Sequence, residues 1–186
     1  MTFKLFGVQV KIEFMFTAIV ALLAVIDTQG VMWMSLSAVA IHELGHIAAM
    51  LMMKIKIRQI RLCCCGILIR GDCCSDLKKG IIVAAAGPAA NILPAYFSHG
   101  IFKYIMLLTG IFNLIPIFGT DGGDIAKMLC MTVSGEHKGH IVFSVISAVS
   151  SLIVFIIGVL MFVNFKNPTL LAAATYFCIM TVASVL

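Results

Sequence analysis

The sequence predicts an all-α polytopic membrane protein of about six transmembrane helices, with a small β hairpin or sheet at the membrane surface at about 54–71. Three observations predict it. Of 186 residues, 62% are hydrophobic and only 11% are charged. A soluble domain carries about a quarter charged residues, and this chain has too few to cover a globular surface. Six apolar stretches approach the ~20 residues that cross a hydrocarbon core. Finally, the basic residues gather between alternate stretches, the pattern that orients a polytopic chain.

The spans run about 12–28, 31–53, 81–98, 101–119, 141–165 and 168–186. The segment leading into the first lacks the small-residue exit of a cleavable signal peptide. The third and fourth are short and interrupted by Gly87-Pro88, Pro94 and Pro116, so broken or tilted helices are expected there. Irregular backbone at membrane depth survives only where protein or a wet cavity covers it. Between the second and third spans, Lys54 to Leu62 alternates polar and apolar residues, the period of a strand. Gly66 precedes Ile67 to Arg70, and Gly71-Asp72 closes the stretch.

A cytoplasmic N-terminus puts 2–11, 54–80 and 120–140 inside. Those stretches hold Lys4, Lys11, Lys54, Lys56, Arg58, Arg61, Arg70, Lys78, Lys79, Lys127 and Lys138, leaving only Lys103 and Lys166 of the 13 basic residues outside. Both termini are then cytoplasmic, in what reads as a bacterial cell membrane. The net charge of +5 thus reflects orientation. With no basic patch interleaved with stacking aromatics, nucleic acid is excluded as a partner. The clusters Cys63-Cys64-Cys65 and Cys73-Cys74 do not match structural zinc spacing and are read as small reduced hydrophobes.

The chemistry lies within the second span. His42-Glu43-Leu44-Gly45-His46 is an HExxH motif. On a helix it places two imidazoles on one face, both able to reach one Zn²⁺, with a glutamate beside them as general base. Ionisable side chains inside a span are costly in lipid and mark function. Catalytic zinc usually takes a third protein ligand, and the carboxylates on offer are Asp27, Asp72, Asp76, Glu136, Asp121 and Asp124. Asp121 ends the broken fourth span, with Gly122-Gly123 behind it to allow close backbone approach. Asp124 follows the turn and suits a helix cap better. Spacing favours Asp121 over Asp124 without deciding between them.

These residues resemble the site-2 proteases, intramembrane zinc metalloproteases (peptidase family M50). Three motifs stand in family order: HExxH at 42–46, Gly87-Pro88-Ala89-Ala90-Asn91, and Asn113-Leu114-Ile115-Pro116 followed by Asp121-Gly122. The compact layout is similar to the sporulation branch, stage IV sporulation protein FB and its relatives, which cleave a membrane-associated sigma-factor precursor. The resemblance implies that Asp121 is the third ligand of one Zn²⁺ per chain. It also implies that Asn113 helps hold substrate or oxyanion, and that Asn91 supports it. Gly119 and Thr120 depart from the proline and leucine common before the family's Asp-Gly. Residues 1–186 read as one domain, without the CBS or PDZ domain of some relatives.

The expected activity is hydrolysis of a peptide bond within or near the membrane segment of a membrane-associated protein, with Glu43 passing the proton. Expected partners are that substrate, the lipid bilayer and a regulatory membrane partner. His42 lies about 11 residues from the inner end of its span, which puts the site roughly 16 Å below the cytoplasmic face. An extended substrate is expected to pair with the edge of the 54–70 sheet, so that Ile57→Pro impairs cleavage without removing zinc. The alternative is a metal-ion transporter or channel with His42, His46 and Asp121 as a transit site.

Overall fold

The computed structural model describes residues 2–5, 7–63, 66–71 and 76–185. The chain is mostly helical, with one four-stranded sheet, and divides into two compact units, Met1–Gly110 and Ile111–Leu186. Cys64, Cys65, Asp72, Cys73 and Cys74 lie outside the described residues.

The first unit opens with β1 (Thr2–Leu5) and β2 (Val8–Ile12), an antiparallel pair turned at Gly7, whose φ of 84° suits glycine. Helices α1 (Phe14–Ile26) and α2 (Val31–Met52) follow. The chain then returns to lay β3 (Ile57–Cys63) parallel to β2, and β4 (Gly66–Gly71) pairs antiparallel with β3. The expected hairpin is therefore half of a sheet ordered β1-β2-β3-β4. The 2–11 stretch, read as a cytoplasmic loop, supplies the other half. Its Phe3, Val8, Val10 and Ile12 alternate with polar residues as a strand requires. Arg61 on β3 donates from Nε to the Glu13 carboxylate at 2.7 Å, and the Glu13 N–H donates to the Leu62 carbonyl, so the head of α1 is tied to the sheet.

Asp27, one of the carboxylates considered for the metal, instead accepts the Val31 and Met32 N–H groups at 3.1 and 3.0 Å. It caps the start of α2, where anions are favoured. Asp76 does the same for α3 (Leu77–Ala95), accepting the Lys78 N–H at 3.0 Å. Helix α3 runs unbroken through Gly87, Pro88 and Pro94, contrary to the expectation of a broken third span. It packs on α2 through small residues, with Gly45 against Ala86 and Ala90. Helix α4 (Gly100–Asn113) brings Met106 into a core with Ala38 and Ala95.

In the second unit the expected fourth span stops at Asn113 rather than 119. Pro116 offers no N–H and disfavours helix in the residue before it. A tight turn leads into α5 (Asp121–Ser134), a helix within the stretch read as the loop 120–140. Helix α6 (Glu136–Phe165) starts inside the same stretch, and α7 (Thr169–Val185) follows. His137 and His140 thus sit on a helix, with His140 beside the Phe118 ring. Ile117, Val154 and Ala174 form this unit's core.

Among the described residues, two helices, α2 and α6, are long and apolar enough to cross a membrane, not six. At 1.5 Å per residue, the 13 residues of α1 reach only ~20 Å of the ~30 Å required. Yet neither α2 nor α6 is the core helix of a soluble domain, because only 22% of the most apolar stretch of each is buried. Helix α6 leaves Val145, Val149, Leu152, Ile153, Ile156 and Ile157 exposed over successive turns. An apolar exterior of this extent suits a lipid environment.

Candidate metal centre

Helix α2 delivers His42 and His46 one turn apart, and their Nε2 atoms converge to 3.2 Å. Two nitrogens on neighbouring corners of a tetrahedral zinc site, each ~2.0–2.1 Å from the ion, are about 3.3 Å apart. The observed spacing therefore fits that donor set. The tautomer fits too. His46 Nδ1 lies 2.8 Å from the Val83 carbonyl oxygen of α3. A carbonyl can only accept, so Nδ1 carries the proton and the Nε2 lone pair is left for a metal.

Space beside these nitrogens is kept by Gly87. A Cβ there would meet the His46 imidazole and lie 2.8 Å from His42 Nε2. Gly87 is thus needed for the gap it leaves, not for its backbone freedom. Glu43 is half-buried next to His42. Asn91 follows Gly87 by one helical turn, on the same face of α3. It is fully buried, and among the described residues neither Oδ1 nor Nδ2 finds a hydrogen-bond partner. An amide left in that state costs about 1–3 kcal/mol, a cost expected where a ligand completes the bonding.

Asn113 and Asp121 belong to the second unit, at the end of α4 and the first residue of α5. The cap of α5 is Thr120, not Asp124. Its Oγ1 accepts the Gly123 N–H at 3.1 Å and donates towards the Ile115 and Ile117 carbonyls at 2.6 and 2.9 Å. Asp124 lies exposed in the first helical turn. Gly122 and Gly123 are buried against the Leu114 and Ile117 carbonyls, where any Cβ would collide. The doubled glycine thus lets the chain fold back sharply behind Asp121.

Sequence reasoning missed the Val83 carbonyl and the spacer role of Gly87. The first carries no side-chain signal. The second was visible only as a helix interruption.

No protein-family model matches the chain. A Synechocystis sp. protein named as a candidate zinc metalloprotease is 29% identical over 126 residues, covering 58% of this chain and 33% of that protein. The chain thus spans about a third of that relative's length. The solved structure of the site-2 protease from Methanocaldococcus jannaschii matches with a TM-score of 0.69 at 21% identity, over 99% of this chain and 94% of that one. The chain therefore has the fold of that protease.

Proposed function

We propose that this chain is an intramembrane zinc metalloprotease of the site-2 type, using His42, His46 and Asp121 as ligands of one zinc ion and Glu43 as general base. The observation that carries the proposal is the pair of Nε2 atoms at 3.2 Å, one fixed in tautomer by Val83 and both facing the gap at Gly87. One other finding supports it: the fold is that of a site-2 protease. Bound zinc would supply the Lewis acidity that polarises a carbonyl and lowers the pKa of water towards about 7. Glu43 accepts the proton of the attacking water and returns it to the leaving amine. Asn91 and Asn113 offer amide N–H groups to the substrate carbonyl, where charge develops.

The substrate is a membrane-associated protein entered in extended form. Within the expected 54–70 stretch, β3, which carries Ile57, lies inside the sheet between β2 and β4. Ile57→Pro would therefore break the sheet rather than test docking. Among the described residues the edge on this side is β4. The N–H groups of Ile67 and Leu68, adjacent in β4, point to opposite edges. Proline at the outward-facing position is expected to cut cleavage about tenfold and leave zinc content unchanged. Proline at the inward one should lower the thermal midpoint. Equal effects on cleavage and midpoint at both positions would rule out docking at β4.

The finer reading is a sigma-factor precursor as substrate, in sporulation. It rests on the resemblance of the sequence to that branch. Co-expression with such a precursor in a bacterial membrane tests it. Purified protein should carry about one zinc per chain, and chelation should abolish cleavage, with activity returning on zinc addition. A chain that stays active after complete removal of zinc would refute the metalloprotease reading.

A further inference from the structure

Three buried hydroxyls in the second unit lie outside any catalytic motif. Ser147 and Ser151 on α6 and Thr181 on α7 are at most 4% exposed. Ser147 Oγ lies 3.2 Å from Thr181 Oγ1, and Ser151 Oγ lies 3.1 Å from the same atom. Burying three hydroxyls between apolar helices is unfavourable unless each is hydrogen-bonded. The network does more than satisfy itself, because Ser147 Oγ also accepts the backbone N–H of Phe118 at 3.0 Å.

Phe118 stands three residues before Asp121, within the turn that follows Pro116. The neighbouring bonds of that turn are local: the Ile117 N–H to the Ile115 carbonyl, the Thr120 N–H to the Ile117 carbonyl, and the Thr120 hydroxyl to both carbonyls. With the Ile115 N–H to the Phe112 carbonyl and the Gly123 and Asp124 N–H groups to Thr120, these bonds reach no further than the ends of α4 and α5. The bond from Phe118 to Ser147 anchors the turn to α6, and Thr181 holds Ser147 through the hydrogen bond between their hydroxyls. The Phe118 ring packs edge-on against Phe143, one turn before Ser147, and Ile117 is fully buried.

We propose that Ser147, oriented by Thr181, is a positioning residue for the Asp121 turn and thereby sets the affinity of the metal site. The proposal rests on the zinc reading given above. Groups that orient a metal ligand without touching the metal typically affect affinity 10- to 100-fold when removed. Ser147→Ala takes away the acceptor for Phe118. Ser147→Thr keeps it. Thr181→Val leaves the acceptor but frees its orientation.

The test measures the zinc dissociation constant of the purified full chain in detergent, alongside the thermal midpoint of the zinc-free form. Ser147→Ala is expected to weaken zinc binding about tenfold or more, Thr181→Val by about threefold, and Ser147→Thr to stay within about twofold of wild type. Ser144, whose hydroxyl donates to the His140 carbonyl of its own helix at 2.9 Å, serves as control, and Ser144→Ala should bind zinc normally. Should Ser147→Ala fail to fold, Thr181→Val carries the test alone. Wild-type affinity in folded Ser147→Ala or Thr181→Val, with only the midpoint lowered, would reduce the network to a packing role and overturn the proposal. A wild-type chain that binds no zinc would instead bring down the metalloprotease reading, and this proposal with it.

Discussion

Gly87→Ala is expected to abolish zinc binding while leaving the fold nearly as stable as before. The added methyl would occupy the gap in front of His42 and His46, meeting the His46 ring and lying 2.8 Å from His42 Nε2. What it meets there are the tips of side chains, not backbone. The rings can swing away at a cost of about 0.5–1.5 kcal/mol for off-rotamer angles. Replacing a mid-helix glycine by alanine returns about 1 kcal/mol of helix propensity, so the two effects nearly cancel in folding. They do not cancel at the metal. Rings displaced by an ångström no longer present converging lone pairs, and His46 loses its bond to the Val83 carbonyl. Zinc affinity should fall by at least about 100-fold, comparable to loss of an orienting partner or worse. Calorimetric titration with zinc and a thermal melt of the same preparation read both halves. Normal zinc uptake by this variant would mean that the metal sits elsewhere than at the Nε2 tips.

That prediction could not be made from the sequence, and the reason is specific. HExxH announces itself because helical periodicity alone puts both imidazoles on one face, and α2 begins and ends within a residue of the expected 31–53. Gly87 belongs to another helix. Its role depends on how closely α3 packs on α2, through Gly45, Ala86 and Ala90, and a long-range approach leaves no periodic trace. The same distinction explains the sheet. The alternation in β3 was legible, but the parallel pairing of Gln9 with Gln59 joins residues separated by two helices. The alternation in β2 is equally present but is masked by Lys11, which counts as a loop charge. Helix α5 was lost for a related reason. Its single Lys127 and the polar stretch behind it weighed as a cytoplasmic loop, whereas Thr120 followed by Gly123 is a capping arrangement. The six apolar stretches all reappear as helices, yet among the described residues only α2 and α6 have the length and composition to span. Hydropathy reports where apolar residues lie, and strand, turn and cap chemistry then trims the helix that forms.

Glu43→Gln should be the cleaner loss, with catalysis gone and the metal retained. Gln has nearly the shape of Glu, and Glu43 contributes to none of the positions assigned to the ion, so zinc stoichiometry and affinity should match wild type. What disappears is the carboxylate that accepts a proton from water and hands it to the departing amine. Positioned acid–base catalysis contributes about 10²–10⁴-fold, and a drop of that size in kcat, with KM little changed, is the expected result. The split matters because it separates two chemistries that share His42, His46 and Asp121. A protease needs the carboxylate, so Glu43→Gln should be inactive with full zinc. A metal-transit protein needs only the ligands, and the variant should still move zinc across a vesicle membrane. A variant that loses zinc along with activity would make Glu43 part of the ligand set, and its role as base would have to be withdrawn. Comparing Glu43→Gln with Gly87→Ala sharpens the reading further. One should keep the ion and lose the proton transfer, the other should lose the ion with Glu43 intact, and only a hydrolytic site built on this α2–α3 contact predicts both.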